Sequence, residues 1–138
     1  MTTKTLQDLS QKMRQIDIAM LSTHTAGGHI AGRPMSNNGE VEYDGTSYYY
    51  TYDQTRTVED IEKDSKVSLA FMGEKGFSVA VEGKARLLRD KASLQELWSK
   101  GLEQWFGDGV DTPGIVLIQV EATRVHYWDG EEQGEIKL

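Results

Sequence analysis

Hydrophobic positions along the chain follow two periods. Leu6, Leu9, Met13 and Ile16 fall at helical spacing, so the pattern predicts an amphipathic lid helix from Thr5 to about Gln15, with Asp8, Gln11, Lys12 and Arg14 mostly on its other side. Strand patterns take over from Ile18. Ile18–His24 reads as a buried strand, Ala26-Gly27-Gly28 as the turn that returns the chain through His29–Arg33, and Pro34 as an edge, strand end or bulge. Asn37-Asn38-Gly39 is the next turn, Val41–Tyr43 an expected strand, and Asp44-Gly45 a two-residue hairpin signal leading into Ser47–Tyr52.

A short helix over Val58–Lys63 separates these elements from a hairpin of Val67–Met72 and Phe77–Val81, whose second strand continues past a bulge at Gly83 to Leu88. Asp90 caps an expected helix through Leu94, Leu97 and Trp98, continuing with a break at Gly101 towards Trp105-Phe106 and ending at Gly107-Asp108-Gly109. Ile115–Val120 and Arg124–Trp128 complete the strands, and Glu131–Gly134 reads as a loose polar tail. Six to eight strands with two or three short helices predict a mostly β chain, a small antiparallel β-barrel with peripheral helices, closed or partly closed. There is no repeat or linker, and 138 residues suit one domain.

Charge narrows the partners. With 22 acidic against 15 basic side chains the net charge is -7, which opposes nucleic-acid binding. No apolar run is long enough for a membrane helix, the first residues lack a signal-peptide core, and there are no cysteines, so the expectation is a soluble cytoplasmic protein without disulfides. His24, His29 and His126 are widely spaced on strands, and no metal site is expected. Neither a Ser-His-Asp nor a dinucleotide-binding pattern is present.

Chemistry concentrates where Tyr48–Tyr52 runs through Asp53-Gln54-Thr55 into the next helix. Thr55 or Thr57 can cap that helix, and Arg56 stands beside its free N–H groups, an arrangement that suits a phosphate as well as it suits an ordinary cap. The tyrosines serve equally as a barrel wall.

Several stretches together resemble the pyridoxamine 5'-phosphate oxidase-like FMN-binding split barrels, in particular their general stress protein branch. These are Arg33-Pro34-Met35, Tyr50-Thr51 followed by Thr55-Arg56-Thr57, Val67-Ser68-Leu69, Phe77–Gly83, Trp105-Phe106 with Asp108-Gly109, and Tyr127-Trp128-Asp129-Gly130. The resemblance covers nearly the whole chain. It implies an antiparallel split barrel and a homodimer with FMN between subunits, FAD being the open alternative. Arg33 would contact the phosphate-ribityl end, Pro34 and Met35 would run beside the flavin ring, and Tyr50 and Thr51 would line the ribityl or ring region. Thr55 and Arg56 match the family's phosphate motif, Ser78 a polar position facing the flavin, and Trp128 a residue reaching it from the second subunit.

Two departures stand out. Thr57 occupies the place of the family's phosphate-binding lysine, and Glu131–Glu135 replaces an arginine-containing segment of true pyridoxamine phosphate oxidases, which speaks against vitamin B6 phosphate oxidation. The implied function is a flavin-dependent oxidoreductase of an unidentified small molecule; the alternative is a stress protein that stores the flavin or senses redox state.

Overall fold

The computed structural model describes residues 4–39, 41–98 and 100–138. Met1–Thr3 and Ser99, which the sequence places in the start of the chain and in the helix after Asp90, lie outside the described residues. In chain order the elements are α1 (Leu6–Met13), β1 (Ile18–His24), β2 (Ile30–Ser36), β3 (Thr46–Tyr52), α2 (Arg56–Lys63), β4 (Lys66–Met72), β5 (Phe77–Leu88), α3 (Lys91–Glu96), β6 (Ile115–Asp129) and β7 (Glu132–Lys137). Two 3-10 turns, Lys100–Gln104 and Gly109–Asp111, lie between α3 and β6.

All strand pairings are antiparallel, in the order β2-β1-β4-β5-β6-β3, with β7 added to β6. The fold is the expected mostly β split barrel. Its interior holds Leu21, Leu69, Phe71, Val79, Val81, Tyr49, Ile118 and Tyr127, and α1 covers it with Leu9 and Met13. Thr5 caps α1 in a full capping box with Asp8, so the helix is fixed at its start by two reciprocal hydrogen bonds. A smaller core lies on the other side of β3 and β6, where Leu94, Phe106, Ile115 and Leu117 pack with Tyr48, Tyr50 and Trp98.

Four expectations are corrected. Val41–Tyr43 is not a strand: the Tyr43 N–H donates to Ser10 Oγ at 2.7 Å and its ring enters the core, so packing against α1 overrides strand propensity. Consequently Asp44-Gly45 does not close a hairpin, and β3 pairs with β6 instead. The expected pair Ile115–Val120 and Arg124–Trp128 is one strand, β6, long enough to serve both β3 and β5. The tail is ordered as β7, with Val125 opposite Ile136 and Trp128 opposite Gln133.

Smaller differences concern ends. The helix capped by Asp90 stops at Glu96, ahead of Gly101, which falls inside the first 3-10 turn. The bulge at Gly83 is present as a register shift between Glu82 and Gly83, where a Cβ would run into the Glu121 carbonyl.

Candidate functional site

β2 and β3 are the two ends of the strand order, so the barrel is open between them. A cleft of about 590 Å³ lies at this seam. Pro34, Met35 and Ser36 line it from β2, Tyr48, Tyr50, Thr51 and Tyr52 from β3, and Leu97, Leu102, Trp105 and Phe106 from the segment after α3. Its size falls in the range of small-molecule sites.

The tyrosine hydroxyls turn to the protein. Tyr50 donates to Leu94 O at 2.6 Å and Tyr52 to Trp105 O at 3.2 Å, while Gln119 Nε2 donates to the Tyr48 hydroxyl at 3.3 Å. Burial pushes the Tyr50 phenol up to about 12, so it stays neutral. The cleft therefore meets mostly rings and aliphatic carbons.

Tyr52 ends β3 and connects the cleft to α2. Its carbonyl accepts from Thr55 Oγ1 at 2.9 Å, and Thr55 Oγ1 in turn accepts from the Val58 N–H at 3.4 Å, making Thr55 the N-cap. The single hydroxyl proton of Thr55 is thus committed to Tyr52. What the helix start offers an anion is the N–H groups of Arg56 and Thr57, which open the helix without acceptors inside it, and the exposed Arg56 side chain. Thr57, in place of the family lysine, is buried.

Arg33 points into the barrel end that α2 closes. Its Nη1 donates to Thr23 Oγ1 at 2.8 Å and to Leu21 O at 3.3 Å, and its Nη2 lies 3.6 Å from the carboxylate of Asp60. Asp60 is buried and also accepts from Thr23 Oγ1 at 2.8 Å. Burial lowers the pKa of the Arg33 guanidinium; Asp60 opposes that shift and Arg56 adds to it. Two cations therefore share the start of α2, one with an internal partner and one without an ion pair among the described residues.

Ser78 and Trp128 occupy a third place. They lie opposite one another on the outer face of β5 and β6, in a row that runs through Met72 towards Ile18 and Ser36. Trp128 stacks on His126 with centroids 4.1 Å apart, and His126 is braced by Gln133 of β7 at 3.1 Å. Trp128 stands four strand spacings from β2, roughly 19 Å along the sheet.

The structure thus gathers Pro34, Met35, Tyr50 and Thr51 in the cleft, places Thr55, Arg56 and Thr57 at the start of α2, outside the lining, with Arg33 turned towards Asp60 of the same helix, and leaves Ser78 and Trp128 on the outer sheet face. The profile of the pyridoxamine 5'-phosphate oxidase like family matches residues 4–138. The chain belongs to this family. Among curated proteins none matches it by sequence.

Solved relatives share the split-barrel fold. The family member is similar to a Clostridium acetobutylicum protein related to general stress protein 26, at 24% identity, 96% of this chain and 94% of that one covered, and a TM-score of 0.84. General stress protein 26 of Bacillus anthracis aligns at 24% identity over 94% of this chain and 98% of that one, with a TM-score of 0.74. A heme-binding protein from Mycobacterium smegmatis aligns at 12% identity over 99% of this chain and 60% of that one, with a TM-score of 0.75.

Sequence reasoning missed Asp60 and Thr23, the partners of Arg33. The available signal was an acidic residue on the apolar stripe of α2, next to Ile61 and one turn after Thr57. No helix is long and apolar enough to cross a membrane, and no group of three metal-ligating side chains converges among the described residues.

Proposed function

We propose that this oxidase-like family member binds FMN at the seam and acts as a flavin-dependent oxidoreductase on a small molecule. One observation carries the reading: the outer edges of β2 and β3 bring Pro34, Met35, Tyr50 and Thr51 to one cleft whose lining runs along β3 to Tyr52, three residues before the Thr55 cap of α2. An aromatic-lined slot suits a flat ring, and the N–H groups and Arg56 at the start of α2, a few residues beyond Tyr52, suit a phosphate tail that extends past the slot. The ring end fits this chain better than the phosphate end, where Thr57 supplies no charge and Arg33 already has partners.

When bound, FMN supplies the electron transfer. The chain supplies position. Pro34 and Met35 give the ring an edge to lie along, Arg56 attracts the phosphate, and the rings lining the cleft keep water from its inner part. The three histidines lie outside the lining, so an axial imidazole for heme is lacking there, which favours flavin over the ligand of the Mycobacterium smegmatis neighbour.

A homodimer belongs to the same reading. Ile18, Met20, Met72 and Trp128 are exposed on one outer sheet face, and because Trp128 does not line its own cleft, the flavin it would meet in this reading is that of a second copy. Sedimentation at micromolar concentration should give a dimer; a monomer would remove the shared site. The reading places the protein in the cytoplasm.

A non-catalytic, flavin-storing or redox-sensing role is favoured by the hydroxyls of Tyr50 and Tyr52, whose protons are already given to the Leu94 and Trp105 carbonyls. Purification decides first: a yellow protein that releases FMN by mass spectrometry supports the reading, release of FAD corrects the cofactor, and a colourless protein that takes up neither flavin overturns it. Reduction of the loaded protein by a nicotinamide nucleotide followed by turnover with an acceptor then separates enzyme from store.

A further inference from the structure

Trp105 is a large aromatic side chain whose backbone is fixed and whose ring is not. Its N–H donates to Leu102 O at 2.9 Å, its carbonyl accepts from the Tyr52 hydroxyl at 3.2 Å, and the next residue, Phe106, is buried against Tyr50 and Tyr52. The Trp105 side chain nevertheless lines the cleft with 61% of the residue exposed, and its indole N–H has no acceptor among the described residues. Tyr52 stands beside it, 43% exposed, with its hydroxyl already engaged. An exposed indole on an anchored backbone is a stacking surface that needs no main-chain ordering to bind.

The charge of the lining selects the ligand. Tyrosines aside, its only ionisable side chains among the described residues are Arg14 and Glu42, which are of opposite sign, and Arg14 Nε already donates to Gly39 O at 2.8 Å. With one cation and one anion, the described lining has no net charge to draw an ionic ligand to the indole. Pro34 and Met35 lie on the β2 side, whereas Trp105 belongs to the wall contributed by the segment after α3. A flavin laid along β2 leaves that wall to a second ring.

We infer that Trp105, with Tyr52, forms the substrate wall of the cleft and takes an uncharged planar aromatic compound by stacking on the indole. This rests on the flavin reading for its chemistry, while the stacking surface itself belongs to the protein alone. Trp105 is a specificity-determining residue here, with no part in holding the cofactor.

The test uses the full chain, with and without added FMN, and three probes of known charge and shape: 2-naphthol, 2-naphthalenesulfonate and cyclohexanol. Calorimetric titration should show 2-naphthol binding at least tenfold more tightly than either of the others. Trp105→Ala should weaken 2-naphthol by about three- to tenfold, the scale of one aromatic contact, and leave FMN affinity and dimerisation unchanged; Trp105→Phe should recover most of the loss. An equal loss of FMN would make Trp105 a cofactor contact and overturn the inference. So would a weakened dimer, or 2-naphthol binding that ignores the substitution. If FMN does not bind the parent protein, the cofactor reading fails while the same 2-naphthol comparison on the free protein still decides the wall.

Discussion

Arg33 and Asp60 face each other at 3.6 Å across the end of the barrel, and the hydroxyl of Thr23 joins them, accepting from the guanidinium and donating to the carboxylate at 2.8 Å each. Three elements, β1, β2 and α2, meet at this one polar cluster. Removing one partner leaves the other charge without compensation. Asp60→Ala should therefore destabilise the fold by about 3 kcal/mol, and Thr23→Val by about 1 kcal/mol. Urea denaturation of the two variants measures both; near-parental stability of Asp60→Ala would show that the cluster is solvated.

Arg56 is exposed and has no ion pair among the described residues, so its loss should be felt by ligand and hardly by the fold. Arg56→Ala should weaken FMN by roughly ten- to a hundredfold, leave riboflavin unaffected, and change stability by less than about 0.5 kcal/mol. Flavin fluorescence titration compares the two ligands. Equal effects on both, or none on either, would reduce this stretch to a helix cap.

Thr57→Lys restores the family's second cation, but Thr57 is buried, and a lysine there has to lead its stem out to the surface. The expected outcome is tighter binding of FMN relative to riboflavin together with a lower melting temperature. Unchanged FMN preference would mean that the ammonium does not reach the phosphate.

Gly134 lets Tyr127 lie flat under β7. A Cβ at position 134 would stand 2.5 Å from the Tyr127 hydroxyl, which is buried and accepts from the Lys4 N–H at 3.2 Å. Gly134→Ala should destabilise by about 2 kcal/mol, while Gly107→Ala, with nothing within 4 Å, should stay within about 0.5 kcal/mol. Thermal melts of the pair distinguish an ordered β7 from a frayed one.

Asp129 carries a pH prediction. A hydrogen bond from Lys12 Nζ, at 2.8 Å to Oδ2, holds its carboxyl below the usual range, with Lys4 adding to the effect and burial opposing it. A depressed folded pKa contributes stability that is complete above the ordinary carboxylate value near 4 and disappears as pH falls through the lowered one. Asp129→Asn should melt lower than the parent at pH 7 and show a flatter acid limb, so that the two curves converge at the lowest pH. Parallel curves from pH 7 to 2 would show that this ion pair does not feed into stability.

Local signals were legible in the sequence where one side chain decides the outcome. Thr55 and Asp90 cap the helices expected of them, Gly83 sits at its bulge, and the alternation of Val79 and Val81 with Ser78 and Ala80 orients β5. The reading failed where a distant partner decides. Tyr43 leaves the strand pattern because Ser10 receives its N–H; β7 forms because β6 extends far enough to pair with it, although its residues look like a solvated tail. The cleft behaves the same way: its β2 and β3 residues were found by resemblance, whereas the role of Asp60 depends on the packing of α2 against Thr23 and Arg33, which no local spacing encodes.

The open seam also bears on solubility. Two strands with unsatisfied outer edges invite a strand from another molecule. Pro34 sits opposite Met20 within the β1–β2 ladder, and a proline fits such a ladder only where its nitrogen faces away from the paired strand. The missing N–H therefore falls on the outer edge of β2, at the mouth of the cleft. A residue that lines the cleft is thus also a gatekeeper, denying a neighbouring chain a continuous edge on which to polymerise.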